Sequence, residues 1–281
     1  MCTTRPKAYS YIMQRTAFSV LVPAYNEGAL LARSLETISI TLERLRERYD
    51  CELIVVDDGS SDETATILAT AAAADPIGMR VLTHERNRGL TAALQTACEA
   101  ARNNVVVVLD ADLSYNPDIV EPLVKTLLRR GAAAVLASPY MSGGAVRNVP
   151  LGRLLASRAA NCILSLCAAA NLHTFTGMVR AYDASVFREL LGGQPSGEFN
   201  AWATSEMLSR GLRVEEIPAA LVWPVERATG PGRLSMSQLL HRVGLVFASG
   251  RALWKARRAV ATGRTGTLVL STQPGRPYSP R

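Results

Sequence analysis

From Phe18 onward, short apolar runs alternate with segments whose apolar residues recur every three or four positions. The runs "FSVLVP" (18–23), "CELIVVDD" (51–58), "MRVLTH" (79–84), "NNVVVVLD" (103–110) and "AAAVLAS" (132–138) are short and β-branched, which predicts strands. Between them, 28–49, 61–73, 89–102 and 116–131 carry helical spacing. Asp62 and Glu63 give the second an acidic first turn, while the fourth opens on Pro117 and closes on Gly131. Strands that are apolar on both faces need cover on both sides. The alternation therefore predicts an α/β fold with a mostly parallel sheet between two helical layers.

Past residue 138 the pattern changes. "MSGGAVRNVP" (141–150) reads as a Gly-rich loop and 151–172 as a helix whose only charges are Arg153 and Arg158. A short strand and helix follow over 176–190, a helix over 201–211, and a strand over 212–223 bent at Pro218. Met236, Leu239, Leu240, Val243, Val246, Phe247, Gly250, Leu253 and Trp254 form an amphipathic stripe flanked by His241, Arg242, Arg251, Lys255, Arg257 and Arg258. The expected organisation is an N-terminal extension (1–16), a catalytic α/β domain (17–235), a basic amphipathic helix (236–260) and a loose tail (261–281).

In parallel sheets, ligands bind beyond the carboxyl ends of the strands. Those ends carry Pro23-Ala24-Tyr25-Asn26-Glu27, Asp57-Asp58-Gly59-Ser60, Asn87-Arg88-Gly89 and Asp110-Ala111-Asp112. Four of five strands thus deliver polar or acidic groups to one rim. Asp110 and Asp112 alone read either as a capping acid with a solvated neighbour or as ligands of a divalent metal. Beside Asp58, a candidate for contact with a base or ribose, they describe a nucleoside-diphosphate site. Hard oxygen donors suit Mg2+ or Mn2+, ions that bridge carboxylates to phosphates.

Charge is distributed unevenly. The net charge is +7, yet Arg227 to Arg281 holds ten Lys/Arg and no acid, which leaves the remainder with 21 bases against 24 acids. A localised basic segment suits an anionic surface. No aromatic stacking face accompanies it, which argues against nucleic acid. The five cysteines (Cys2, Cys51, Cys98, Cys162 and Cys167) contain no C-x-x-C and read as reduced, buried thiols of a cytoplasmic protein. The N-terminus lacks the apolar region of a signal peptide, and no apolar run of about 18 residues predicts a spanning helix. The three histidines look incidental.

"VPAYNE", "IVVDDGSSDET", "NRGLTAAL", "VLDADLSYNPD" and "SPYMSGG", in this order, resemble an inverting family 2 glycosyltransferase of the GT-A fold. The closer likeness is to the polyprenol-phosphate (dolichol-phosphate) mannosyltransferases, over roughly residues 17 to 235. The resemblance implies that Pro23, Tyr25, Glu27 and Asp58 hold the nucleoside, and that Asp110 and Asp112 bind Mg2+ or Mn2+ on the diphosphate. It places Arg180, Arg227 and Arg233 where the lipid phosphate is handled. This sequence departs from the pattern at Ser114, where the family often has Gln, and at "TFTGMVR" (174–180), where Thr174 and Met178 replace an acid and a glycine.

Chemistry favours a phosphate acceptor. A sugar hydroxyl needs a placed base before it can attack. A phosphate monoester is already largely dianionic near neutral pH and needs cations to position it. The Glu-Asp pair that supplies a base in processive members is missing; Glu206 in "TSEML" is the nearest match. Arg158, Arg180, Arg227 and Arg233 are available instead, and Arg227 and Arg233 bracket the Gly-rich "ATGPG". The expected activity is transfer of a hexose from a nucleotide sugar of the GDP-mannose or UDP-glucose type to a polyprenyl phosphate. The expected location is cytoplasmic, peripheral on the inner face of an anionic membrane, with 151–172 and 236–258 at the interface. Transfer to a hydroxyl of a membrane lipid or glycan is the alternative. A non-catalytic nucleotide-sugar binder is disfavoured by the intact Asp-x-Asp.

Overall fold

The structure, a computed structural model, describes residues 15–75, 77–193 and 199–224. The basic helix expected over 236–260, the tail, and Arg227 and Arg233 lie outside them. In chain order the elements are β1 (Ala17–Ala24), α1 (Gly28–Leu45), β2 (Asp50–Asp57), α2 (Thr64–Ala74), β3 (Arg80–Thr83), α3 (Leu90–Ala100), β4 (Val105–Val108) and, after a 3-10 turn at Pro117–Ile119, α4 (Val120–Arg130). Then come β5 (Ala134–Ser138), β6 (Ala145–Arg147), α5 (Leu151–Ala168), β7 (Arg180–Asp183), α6 (Ala184–Gly192), α7 (Phe199–Ser209), β8 (Val214–Pro218) and β9 (Ala220–Val222).

The main sheet has the order β3-β2-β1-β4-β7-β5-β8. Its two cores follow from the strand period of two. Val20, Val22, Leu53, Val55 and Val107 face Leu31, Leu35, Ile38, Leu42 and Val124 of α1 and α4. On the other face Leu21, Ile54, Val56, Val106 and Val108 meet Ala93, Leu94 and Ala97 of α3 and Phe187 of α6. Each fully buried Leu or Val side chain contributes roughly 1.5–3 kcal/mol.

The sheet is mostly parallel, as expected; the exception is β7, which runs antiparallel between β4 and β5, with Val108 opposite Arg180 and Leu136 opposite Arg180 on its other edge. Two sequence expectations change. The expected strand 212–223 is divided at Ala219. Its first part, β8, pairs with β5, and its second, β9, pairs with β6 in a separate two-stranded sheet. The expected loop 141–150 supplies that β6. Gly144 permits the approach, because a Cβ there would sit 2.7 Å from the Pro139 and Ser138 carbonyl oxygens.

Candidate active site

The parallel register brings the strand ends to one rim. Ala24 is opposite Asp57, Leu21 is opposite Val108, and the Asp58 N–H donates to the Ala24 carbonyl at 2.9 Å. Asp110 and Asp112 follow β4 directly and so stand beside the end of β1, one strand away from β2.

The first two rim loops are joined by side chains that bond to the opposite backbone. Asn26, in the left-handed region at φ 53°, accepts from the Ser61 N–H, and its own N–H donates to the Ser60 hydroxyl. The Glu27 N–H donates to the Thr64 hydroxyl, and the Gly28 N–H to the Asp62 carboxylate. Pro23 and Glu27 are half-buried at this seam and Tyr25 is exposed. Asp57, itself buried, closes its turn by accepting from the Ser60 N–H at 3.0 Å.

Asp58, expected at a base or ribose, is held inward at the end of β2. It is 3% exposed, and its carboxylate accepts from the His84 ring and the Arg88 and Gly89 N–H groups at 2.7, 2.9 and 2.7 Å. It therefore fixes the loop after β3 from beneath. His84, which looked incidental, is the buried residue next to it. The available signal was its position: Thr83 pairs with Asp57, which sets His84 beside Asp58. Gly59 (φ 70°) completes this junction, since a Cβ there would meet the Arg86 backbone at 2.3 Å.

At the end of β4, Asp112 is buried and Asp110 half-buried. The Ser114 N–H and hydroxyl both donate to Asp112 Oδ1, at 2.9 and 2.7 Å, across Leu113 at φ 52°. Ser114 thus aims Asp112. Tyr115, buried behind the pair, has its phenol pushed well above the ordinary range, first by burial and then by Asp110. Among the described residues no group of three or more His, Cys, Asp or Glu could enclose an ion. Two carboxylates on a rim fit Mg2+ or Mn2+ of the kind completed by substrate phosphates and water, rather than an all-protein cage.

Arg180 requires a correction. Expected at the lipid phosphate, it is fully buried beneath the rim. Nε donates to the Gly177 carbonyl, Nη2 to the Phe175 carbonyl, and Nη1 to the Asn200 carbonyl and the Thr204 hydroxyl, at 2.6–3.1 Å. It clamps the 175–177 turn to α7. On α5, Arg153 lies 4.3 Å from the centroid of the Trp223 ring, and Arg158 5.7 Å from that of Tyr140, whose hydroxyl donates to Ser157. Glu206, the nearest match to a catalytic base, is paired with Arg210 at 2.8 Å.

The outer face of α5 exposes three leucines beside Arg158: Leu151, Leu155 and Leu166 are 70%, 58% and 73% exposed. Cys162 shares that face and is exposed too, contrary to the expectation of buried thiols; Cys51 and Cys98 are buried. Among the described residues no helix is long and apolar enough to cross a membrane.

Residues 19–191 match the family described as glycosyl transferase family 2. Among known proteins, the chain is 30% identical over 233 residues to a polyprenol monophosphomannose synthase of Mycolicibacterium smegmatis, spanning 80% of this chain and 83% of that protein. A mannosyltransferase of Pyrobaculum calidifontis, solved in complex with GDP-mannose and Mn2+, is 22% identical with a TM-score of 0.56 over 90% of this chain and 76% of its own. The glucosyl-3-phosphoglycerate synthase of Mycobacterium tuberculosis, solved with Mn2+, UDP and glucosyl-3-phosphoglycerate, is 23% identical with a TM-score of 0.55 over 83% of this chain and 81% of its own. Both structural likenesses are of fold.

Proposed function

The chain belongs to glycosyl transferase family 2, and from that premise we propose that it is an inverting, metal-dependent transferase moving a hexose from a nucleotide sugar to a polyprenyl phosphate. The donor is of the GDP-mannose or UDP-glucose type. The observation that carries this reading is the Asp110/Asp112 pair, set by β4 beside the interlocked loops after β1 and β2.

Pro23, Tyr25 and Glu27 line the nucleoside end, and Asp58 shapes it from below. Asp110 and Asp112 are the residues that would hold Mg2+ or Mn2+, which when bound neutralises the departing diphosphate. Ser114 keeps Oδ1 of Asp112 fixed and thereby orients the carboxylate. An oxygen of the acceptor phosphate attacks C1 of the sugar as the C1–O bond to the diphosphate breaks on the opposite face. The acceptor enters as an anion, so no side chain has to take its proton; the pairing of Glu206 with Arg210 is in keeping with this.

Arg153 and Arg158 on α5, with Arg227 and Arg233 beyond the described residues, supply the cations that position the acceptor phosphate. The exposed leucines of α5 suit an acyl phase, and the basic segment after Arg227 suits anionic head groups. The protein accordingly works peripherally on the cytoplasmic face of the membrane.

The test is incubation with labelled GDP-mannose or UDP-glucose, undecaprenyl phosphate and Mn2+. A lipid product that releases its sugar in mild acid is expected. An acid-stable glycolipid would overturn the phosphate acceptor and favour a hydroxyl.

A further inference from the structure

We infer that His84 is the positioning residue of the donor site: held between Asp58 and Thr96, it fixes the loop 85–89 on which the nucleoside end is built. The inference rests on the donor reading above and adds to it a residue outside the rim motifs.

The ring makes two side-chain bonds. Nδ1 lies 2.7 Å from Asp58 Oδ1, and Nε2 lies 2.9 Å from the Thr96 hydroxyl of α3. A carboxylate with its partners in place accepts, so Nδ1 carries the proton toward Asp58. Its backbone adds a third tie, the His84 N–H donating to the Asp57 carbonyl at 2.9 Å. One residue thus joins the end of β2, the end of β3 and the second turn of α3.

What this arrangement supports is exposed. Asp58 is buried, but the groups it holds, the N–H of Arg88 and of Gly89, belong to a loop whose Glu85, Arg86, Asn87 and Arg88 are exposed. The Arg86–Asn87 backbone in turn lies against Gly59 in the neighbouring rim loop. A histidine whose only task was to fill the core would need no such chain. Here the imidazole satisfies one lone pair of a buried carboxylate, and the carboxylate sets two N–H groups of an exposed rim loop. Loss of the ring leaves that carboxylate under-bonded and free to rotate away from Arg88 and Gly89.

The experiment measures Kd for UDP and for GDP with Mn2+ by calorimetry in the wild type and in His84→Phe, His84→Asn and Thr96→Val, with melting temperatures recorded without nucleotide. His84→Phe keeps the bulk and removes both bonds; Kd for the nucleotide that the wild type binds should rise about tenfold or more. Asn can donate an amide hydrogen in place of Nδ1, so His84→Asn should return to within about threefold of wild type. In turnover with the accepted donor, KM for the donor should rise, while kcat and KM for the acceptor stay put. A His84→Phe protein that melts lower but binds nucleotide as tightly as wild type overturns the inference, and so does an Asn variant no better than Phe. If His84→Phe does not fold, Thr96→Val decides: unchanged nucleotide affinity counts against the inference, and a severalfold loss supports it. A wild type that binds neither UDP nor GDP fails the donor reading itself, and the role of His84 with it.

Discussion

The rim between β1 and β4 and the flank between β5 and β9 are assembled in different ways. On the rim, loops are tied by short-range polar chemistry: Asn26 to Ser61, Glu27 to Thr64, Asp58 to Arg88 and Gly89, Ser114 to Asp112. On the flank, position comes from strand pairing between distant segments, such as β5 with β8 and β6 with β9. Arg180 acts there as a buried clamp, and α5 keeps three leucines outside. The rim is therefore set before a ligand arrives, as a site that binds a nucleotide by fixed donors requires. The flank presents cations beside rings and exposed leucines, which is in keeping with the acceptor proposed above.

The comparison is broken most directly at its acidic end. Asp110→Ala or Asp112→Ala should lower kcat by about 100- to 1000-fold or more, and chelation of divalent metal should do the same reversibly in the wild type. The melting temperature should barely move for Asp110→Ala, since that side chain is only half-buried at a loop. Steady-state turnover with and without chelator, followed by restoration with Mn2+ or Mg2+, checks this. Near wild-type activity in either variant would remove the metal assignment.

Arg180 tests the other side. If it is a clamp, Arg180→Met should unfold more easily, by about 3–5 kcal/mol, because several buried carbonyls lose their donor together. A urea titration reads this. A folded variant of ordinary stability with a raised acceptor KM would instead return Arg180 to the phosphate role expected from its motif.

That correction shows where the sequence was legible. The rim was readable because each strand end is a local motif and parallel register aligns such ends automatically; Asp110 and Asp112 needed only their own strand. His84 was readable in principle, because β3 pairs one residue out from Asp58, but only after the register of two strands was known. Arg180 could not be placed from its motif, because its burial depends on α7 arriving some twenty residues later with Asn200 and Thr204. The division of 212–223 between two sheets had the same cause: Pro218 marked a bend, yet the partner of β9 lay in a segment that read as a loop. Contacts distant in sequence leave little local trace.

The exposed face of α5 offers a milder test. Leu155→Glu replaces a side chain that is 58% exposed, so folding stability should change by no more than about 0.5 kcal/mol. Flotation with vesicles containing anionic lipid should fall by about tenfold if Leu155 enters the bilayer interface. Unchanged flotation would mean that this face does not meet lipid.

The thiols provide the smallest perturbation and sample both regions at once. Burial pushes Cys51 in β2 and Cys98 in α3 up to about 11, the nearby cations Arg46 and Arg188 opposing only weakly. Both are thus protonated at pH 8 and shut away from reagent. Cys162, on α5, is exposed. With Cys2 replaced by Ser, iodoacetamide at pH 8 should label Cys162 before Cys51 or Cys98, with peptide mass spectrometry as the readout. Bound nucleotide should leave that order unchanged. The raised thiols also carry a sign. A group whose pKa is higher folded than unfolded adds stability at pH below its unfolded value, near 8.5, and loses it as pH climbs toward about 11. The urea midpoint should therefore fall across that window more steeply in wild type than in a Cys51→Ala/Cys98→Ala protein. Equal slopes, or early labelling of Cys51, would mean that the sheet beneath the rim opens as readily as α5, and the contrast between a fixed rim and an open flank would not hold.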